Sequence, residues 1–503
     1  MDLVIFKLEG TRDPDGRRYL QLSLVRPPSD EEPCPFAVDV SAPPLAALAD
    51  AVLGDGAVAA AGRHLLDAVM AHPGVHAWLT RALTAQDPER YRIRVQFGAG
   101  REGEALPWEA LHTDATGFLG LDPRWPLGRV VDGASVVPAY PTLPSPLSVA
   151  VVLSCLRVPA ADEWRALWSA LAPGGALGPY RLLVLVSEPD LYRELAGPAE
   201  AAGDDRLRVA KIADRDSLLA ALDGFEPHVL HLFCHGSARG GAPHLELAVT
   251  SDWVTGAADS AIGVDARTLR AACRLRPAVT VLNACDTAAP ADPAEAAASG
   301  TRSLALDLVR EGVTAAAIGM REPVTNKAAA VFTRAFYQAL ARELADRAAT
   351  STYGTPIDWP ALLTGPRTAL LPTTGGLPPS SAAASSKEWT LPVIYTRPPQ
   401  VLADLPAPPA APPAPAPDGE RMPTARATRV LIDHLSHLVA HLPPDTPDAA
   451  LGDLRRDLDI HLAHLGAAWP GSPTPYAAPS AATPSPATAP SPGASVQAPT
   501  PGR

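Results

Sequence analysis

The chain has 503 residues, with 42 Lys and Arg against 54 Asp and Glu, for a formal net charge of −12. That acidic balance argues against a nucleic-acid partner, whose phosphates select basic surfaces. The N-terminus MDLVIFKLEG has no charged leader ahead of a long apolar core, and no run of about 18 apolar residues occurs, so neither a signal peptide nor a membrane span is expected.

Residues 2–8 and 18–25 alternate apolar and polar positions around the turn DPDG, which predicts a β-hairpin. Residues 43–86 predict three short helices, the middle one with Leu65, Leu66, Val69 and Met70 on one face. Residues 91–97 alternate strictly and predict a strand. In the motif LPWEAL that follows, Trp108 is expected to be a core anchor. From residue 148 strands and helices alternate. Strands are predicted at 149–153, 182–186, 207–212, 229–233, 279–282 and 313–318. Helices are predicted at 162–171 with Asp162 as its cap, 190–201, 216–222, 265–272 capped by Asp265, 301–311 stopped by Gly312, and 326–344. This order predicts an α/β fold with a mostly parallel sheet flanked by helices. Residues 389–396, WTLPVIYT, predict a last strand at the sheet edge, because Pro392 lacks the N–H of a central strand.

Beyond residue 398 the composition changes. Residues 399–424 are rich in Pro and Ala and read as a stiff linker. Residues 425–442 carry Leu431, Leu435, Leu438 and Leu442 at helical spacing, and 448–465 carry Leu451, Leu454, Leu458 and Leu465. Two short helices cannot bury both stripes alone, so this hairpin, 425–467, is expected to need a protein partner. Its histidines at 434, 437, 441, 461 and 464 read as a solvated or interfacial face. The tail 468–503 is Pro, Ser, Thr and Ala and is expected to be disordered.

The stretch that carries chemistry runs from PHVLHLFCHGS to VTVLNACDT. Two apolar runs each stop at a reactive side chain, His235 after the first and Cys285 after the second. In open α/β sheets the site lies at the carboxyl ends of the strands. An imidazole can take the proton of a thiol that is otherwise mostly protonated at neutral pH. The thiolate attacks a carbonyl, the imidazole protonates the leaving group, and the N–H groups of Gly236 and Cys285 can hold the oxyanion. Asp286 reads either as an acidic pocket for a basic substrate side chain or, more simply, as a loop cap. The five cysteines, Cys34, Cys155, Cys234, Cys273 and Cys285, show no framework spacing, so reduced thiols in a cytoplasmic protein are expected. Cys234 and Cys273 read as core. A zinc site is not expected: on a strand His228 and His231 face opposite ways, and there are no CxxC pairs. His231 reads as a strand residue hydrogen-bonded inside the fold or standing behind the site. No cofactor is expected.

The ordered motifs LPWEAL, HLFCHGS, LNACDT, GVTAAAIGMREPVTNKAAAVFTRAFYQAL and WTLPVIYTR resemble the CHAT domain, a caspase-like family of clan CD cysteine proteases related to separases. The resemblance spans 57–398, with 1–56 packed on that domain or part of it. It implies a caspase–haemoglobinase fold, peptide-bond hydrolysis, His235 as the catalytic histidine, Cys285 as the nucleophile and Gly236 as an oxyanion contact. It also implies a bacterial conflict or programmed-death setting, in which such proteases are fused to or encoded beside sensor modules. No TPR repeat of 34 residues is visible here, so the sensor is expected to act in trans, with the C-terminal helices as its docking point. The scarcity of lysine, with only Lys7, Lys211, Lys327 and Lys387, agrees with a GC-rich bacterial source. The alternatives are an inactive caspase-like scaffold acting through the C-terminal helices, and a hydrolase of another amide or ester using the same dyad.

Overall fold

The N-terminal third supplies β1 (Asp2–Arg12), β2 (Arg18–Arg26), β3 (Cys34–Phe36), β4 (Tyr91–Phe97), β5 (His112–Thr113), β6 (Gly117–Phe118) and β7 (Leu127–Val131). The alternating region supplies β8 (Leu147–Ser154), β9 (Tyr180–Val186), β10 (Leu207–Lys211), β11 (Val229–Ser237), β12 (His244–Leu247), β13 (Ile262–Val264), β14 (Val279–Asn283), β15 (Ala316–Met320) and β16 (Pro392–Thr396). These come from a computed structural model that describes residues 2–397 apart from internal stretches, chiefly 132–142, 172–179, 238–242, 285–302, 351–356 and 373–378. Two compact units are distinguished, Met1–Pro406 and Ala407–Arg503, and every described residue belongs to the first. The linker, the hairpin 425–467 and the tail 468–503 therefore lie outside the described residues.

The main sheet is ordered β10-β9-β8-β11-β14-β15-β16-β7-β4-β1-β2-β3. From β10 to β15 every neighbouring pair is parallel. The strands β8 and β14 are buried along their whole length, which is why they read as unbroken apolar runs. Alternate residues serve two cores. Val149, Val151 and Val281 pack with Leu167 and Phe336 under the helices Ala161–Leu171 and Asn326–Thr350. Ala150, Val152 and Leu282 join Leu218, Leu269 and Leu308 on the other face. The expected mostly parallel sheet flanked by helices is thus present.

Four expectations are corrected. First, β16 is not an edge strand: it pairs antiparallel with β15 and parallel with β7. Pro392 is its first residue, a position where the missing N–H interrupts no ladder. Second, β15 begins at Ala316. Gly312 takes a left-handed φ of 70°, and Val313 N–H turns back to the Leu308 carbonyl, so residues after Gly312 wrap the end of the helix Leu304–Arg310 before the strand can start. Third, Asp162 lies inside the first turn of its helix rather than at the cap, where it still favours the helix dipole. Fourth, the strand leading to His235 does not stop there; β11 runs on to Ser237. By contrast, Asp265 caps its helix as expected, accepting from Thr268 N–H at 2.8 Å. The core anchor Trp108 is fully buried, with Nε1–H donating to the Gly103 carbonyl at 2.6 Å.

Candidate active site

The parallel register positions the site. In the row that ends the β11–β14 pairing, Phe233 lies opposite Asn283. In sequence, His235 and Cys285 each follow that row by two positions. Cys285 and Asp286 lie outside the described residues, while β14 is described to Asn283 and the chain to Ala284. On the other flank Cys234 lies opposite Ser154, and the residues that follow them in sequence are His235 and Cys155.

His235 sits where β11 leaves the main sheet and pairs antiparallel with β12. Its row partner there is Glu246, Gly236 lies opposite Leu245, and all three residues from His235 to Ser237 are partly exposed. The stretch beyond holds β12, the short helix Thr250–Thr255 and β13. The imidazole has a definite orientation: Nε2–H donates to the carbonyl oxygen of Leu156 at 2.8 Å. A carbonyl only accepts, so Nε2 must carry the proton. In the neutral ring Nδ1 is then the basic nitrogen. The Cys155 sulfur lies 3.5 Å from the same Nε2. Cys155 is a buried thiol that sequence reasoning did not single out. Its signal was its place immediately after the last residue of a strand.

Behind His235, on the face covered by the helices Ala161–Leu171 and Asn326–Thr350, lies a buried polar knot. The Glu163 carboxylate Oε1 accepts from Asn283 Nδ2 at 2.9 Å and from the Thr333 hydroxyl. Asn283 Nδ2 also reaches Thr333 Oγ1 at 3.1 Å and the Ala329 carbonyl at 3.3 Å. His231 Nε2 is 2.9 Å from the same carboxylate oxygen, without the geometry of a hydrogen bond. Glu163, His231 and Thr333 are wholly buried and Asn283 nearly so. Burial, and then the Glu163 charge, hold the nearby Tyr337 hydroxyl well above its usual pKa. This knot ties β11 and β14, which lead to the two candidate catalytic positions, to both covering helices.

The remaining titratable groups are structural. His228 Nδ1 accepts from Ser148 N–H at 2.9 Å. Burial and the Arg181 cation lower its pKa to about 4. His231 is turned to Glu163, so the two histidines do not converge. Among the described residues no group of three or more His, Cys, Asp or Glu is placed to hold a metal ion, and no helix is long and apolar enough to cross a membrane. Cys234 and Cys273 are core thiols, and burial, with Asp223 adding to it, pushes Cys273 up to about 12.

A second buried cluster joins the N-terminal strands to β16. The Glu109 carboxylate of LPWEAL takes two hydrogen bonds from Arg129, from Nε at 3.1 Å and Nη2 at 2.8 Å. Burial alone would raise the Glu109 pKa, but Arg129, with Arg367 beside it, holds it below the usual range. Glu104 is the opposite case. Burial raises its pKa despite hydrogen bonds from Ser303 and Tyr395.

Among solved structures, the fold is similar to the Arg-specific cysteine proteinase gingipain R, with a TM-score of 0.35 and 10% identity over 65% of this chain and 67% of that one. The complex of the Porphyromonas gingivalis RgpB pro- and mature domains gives a TM-score of 0.34 and 9% identity over 65% and 69%. The Saccharomyces cerevisiae separase–securin complex gives 0.31 and 13% over 61% of this chain, which spans only 16% of the separase-complex chain it matches. No curated protein matches the chain. The model of the CHAT domain matches residues 59–352, more than half of the sequence, and the chain belongs to the CHAT domain family.

Proposed function

We propose that the chain is a cysteine endopeptidase with Cys285 as nucleophile and His235 as its base. The observation that carries the reading is the orientation of His235: a main-chain carbonyl holds Nε2–H, leaving Nδ1 as the proton acceptor at the carboxyl edge of β11. The strand register supports it, since both residues follow the same terminal row by two positions.

The steps follow from those atoms. The Cys285 thiol passes its proton to Nδ1, and the thiolate attacks the peptide carbonyl carbon. The oxyanion is held by backbone N–H groups, those of Gly236 and Cys285 being the candidates. Nδ1–H then protonates the departing amine, leaving a thioester on Cys285. Water, deprotonated by Nδ1, hydrolyses the thioester and restores the thiol. Through both charge states Nε2–H keeps its bond to Leu156. Asp286, next in sequence to Cys285, serves as a loop cap or as an acidic contact for a basic substrate side chain.

The setting is a bacterial conflict system in the cytoplasm, with a sensor protein acting on the helices of 425–467. The family resemblance and the two leucine stripes support this part. The test is Cys285→Ala in the full chain. It is expected to abolish cleavage of the substrate protein and labelling by a peptidyl thiol-directed probe, with the melting temperature unchanged. His235→Ala is expected to abolish probe labelling while Cys285 remains. Cleavage that survives Cys285→Ala refutes the mechanism, and labelling indifferent to His235 supports a scaffold instead.

A further inference from the structure

Beside the carboxyl end of β15 is a cavity of about 90 Å3, large enough for several waters or one aliphatic side chain. Its inner wall is Met320, Phe332 and Leu391, all buried, with Val324 and Leu370 closing the sides. Its place relative to the end of β14 follows from the register. Leu282 lies opposite Gly319, so Met320, in the cavity wall, adjoins Asn283, the last residue of β14 and two positions before Cys285 in sequence. Neighbouring strands are about 4.8 Å apart. The cavity wall and the end of β14 are also tied together, because the carbonyl of Ala329, a residue that lines the cavity, accepts from Asn283 Nδ2 at 3.3 Å.

We propose that this cavity is a subsite of the peptidase site and receives one uncharged apolar side chain, of the size of leucine or methionine, next to the scissile bond. This rests on the peptidase reading above. The charges at the mouth are matched within the protein. Glu322 pairs with Lys387 at 2.7 Å and lies 3.3 Å from Arg321. Lys387 also donates to the Leu48 carbonyl at 2.6 Å, and Glu388 takes a hydrogen bond from Ser386. A substrate carboxylate, ammonium or guanidinium entering here would lose its water against an apolar wall and face charges already paired, which is costly. An aliphatic side chain would gain burial without such a loss.

The test uses the full chain and peptidyl acyloxymethyl ketones that differ only in the residue beside the reactive group, carrying Leu, Asp or Arg. The readout is the rate of Cys285 labelling by mass spectrometry. The leucine probe is expected to label about tenfold or more faster than either charged probe, the scale on which apolar pockets discriminate. Ala328→Phe, which fills the cavity from the helix, and Val324→Trp, which fills it from the loop, are each expected to erase that preference. Iodoacetamide labelling of Cys285 should stay unchanged in both. Two filling variants from different walls guard against one that misfolds, which a thermal melt detects. A leucine preference that survives in both folded variants, or charged probes that label as fast as leucine, overturns the subsite and leaves the peptidase reading intact. If iodoacetamide labels Cys285 and no peptidyl probe does, the peptidase reading fails and the subsite fails with it.

Discussion

The Nε2 of His235 lies 2.8 Å from the carbonyl oxygen of Leu156, in the turn that follows β8. A main-chain oxygen therefore selects the imidazole tautomer. In 15N-edited spectra of the histidine side chains, His235 is expected to show Nε2 protonated and Nδ1 bare when neutral. An Nδ1–H tautomer would remove the proposed base. Because the acceptor is backbone, Leu156→Val should leave this signature unchanged.

The buried knot around Glu163 makes a stability prediction. Glu163→Ala strands Asn283 and Thr333 without their shared acceptor and leaves His231 without its carboxylate. Each buried donor left without its acceptor costs about 1–3 kcal/mol, so losing the one that Asn283 and Thr333 share is expected to cost about 2–5 kcal/mol. Asn283→Ala removes only donors and is expected to cost less, about 1–2 kcal/mol. Urea unfolding measures both. Asn283→Ala should also slow probe labelling of Cys285, since the end of β14 loses its tie to the helix Asn326–Thr350. Equal costs for the two variants would contradict the geometry.

Glu104 and Glu109 are expected to give opposite pH signatures. A carboxyl with a raised folded pKa binds its proton more tightly when folded. Its stabilising contribution is full below the unfolded value of about 4.5 and is lost as pH rises through the folded pKa. For Glu109, with a lowered pKa, stability is present above the unfolded value and is lost as pH falls through the folded one. Glu104→Gln, which keeps an acceptor for the Tyr395 hydroxyl, should therefore melt about 2–4 °C higher than the parent at pH 8 and at the same temperature near pH 4. Glu109→Gln should melt lower at pH 8. A melting series across pH decides it.

Thiol reactivity should follow burial. Cys34 is partly exposed, whereas Cys234 and Cys273 are buried. With Cys273 at about 12, each unit above the ordinary thiol value of 9.0 removes another tenfold share of thiolate. Pulse alkylation of the native protein with peptide mapping is expected to label Cys34 roughly a hundredfold faster than Cys273. Labelling of both at one rate would mean that the core opens on the time scale of the pulse.

Much of the parallel half was legible in the sequence, because strands buried on both faces contain no polar break to hide them. His235 was legible from its type and its position after an apolar run. Its tautomer was not, since it depends on a backbone oxygen brought in by the turn after β8. Cys155 was missed for a similar reason: only the β8–β11 register sets it beside His235, and local pattern does not encode register. Asn283 looked like the last residue before a loop, yet its side chain points into the knot. Arg129 interrupts an apolar strand and reads as a surface residue until Glu109, 20 positions earlier, is seen to neutralise it. The interior place of β16 was hidden because its second neighbour, β7, lies more than 260 residues away in sequence.

That insertion of β16 has a consequence for how the protein is made. One flank of its gap is β15 and the other is β7, so a nascent chain that has not reached residue 392 holds two partial sheets with exposed, unsatisfied borders. Five residues delivered near the end of the domain seal both borders in one step. Until then the ribosome carries an intermediate prone to pairing with other chains, and a stop codon shortly before residue 392 would release that intermediate rather than a smaller working protein.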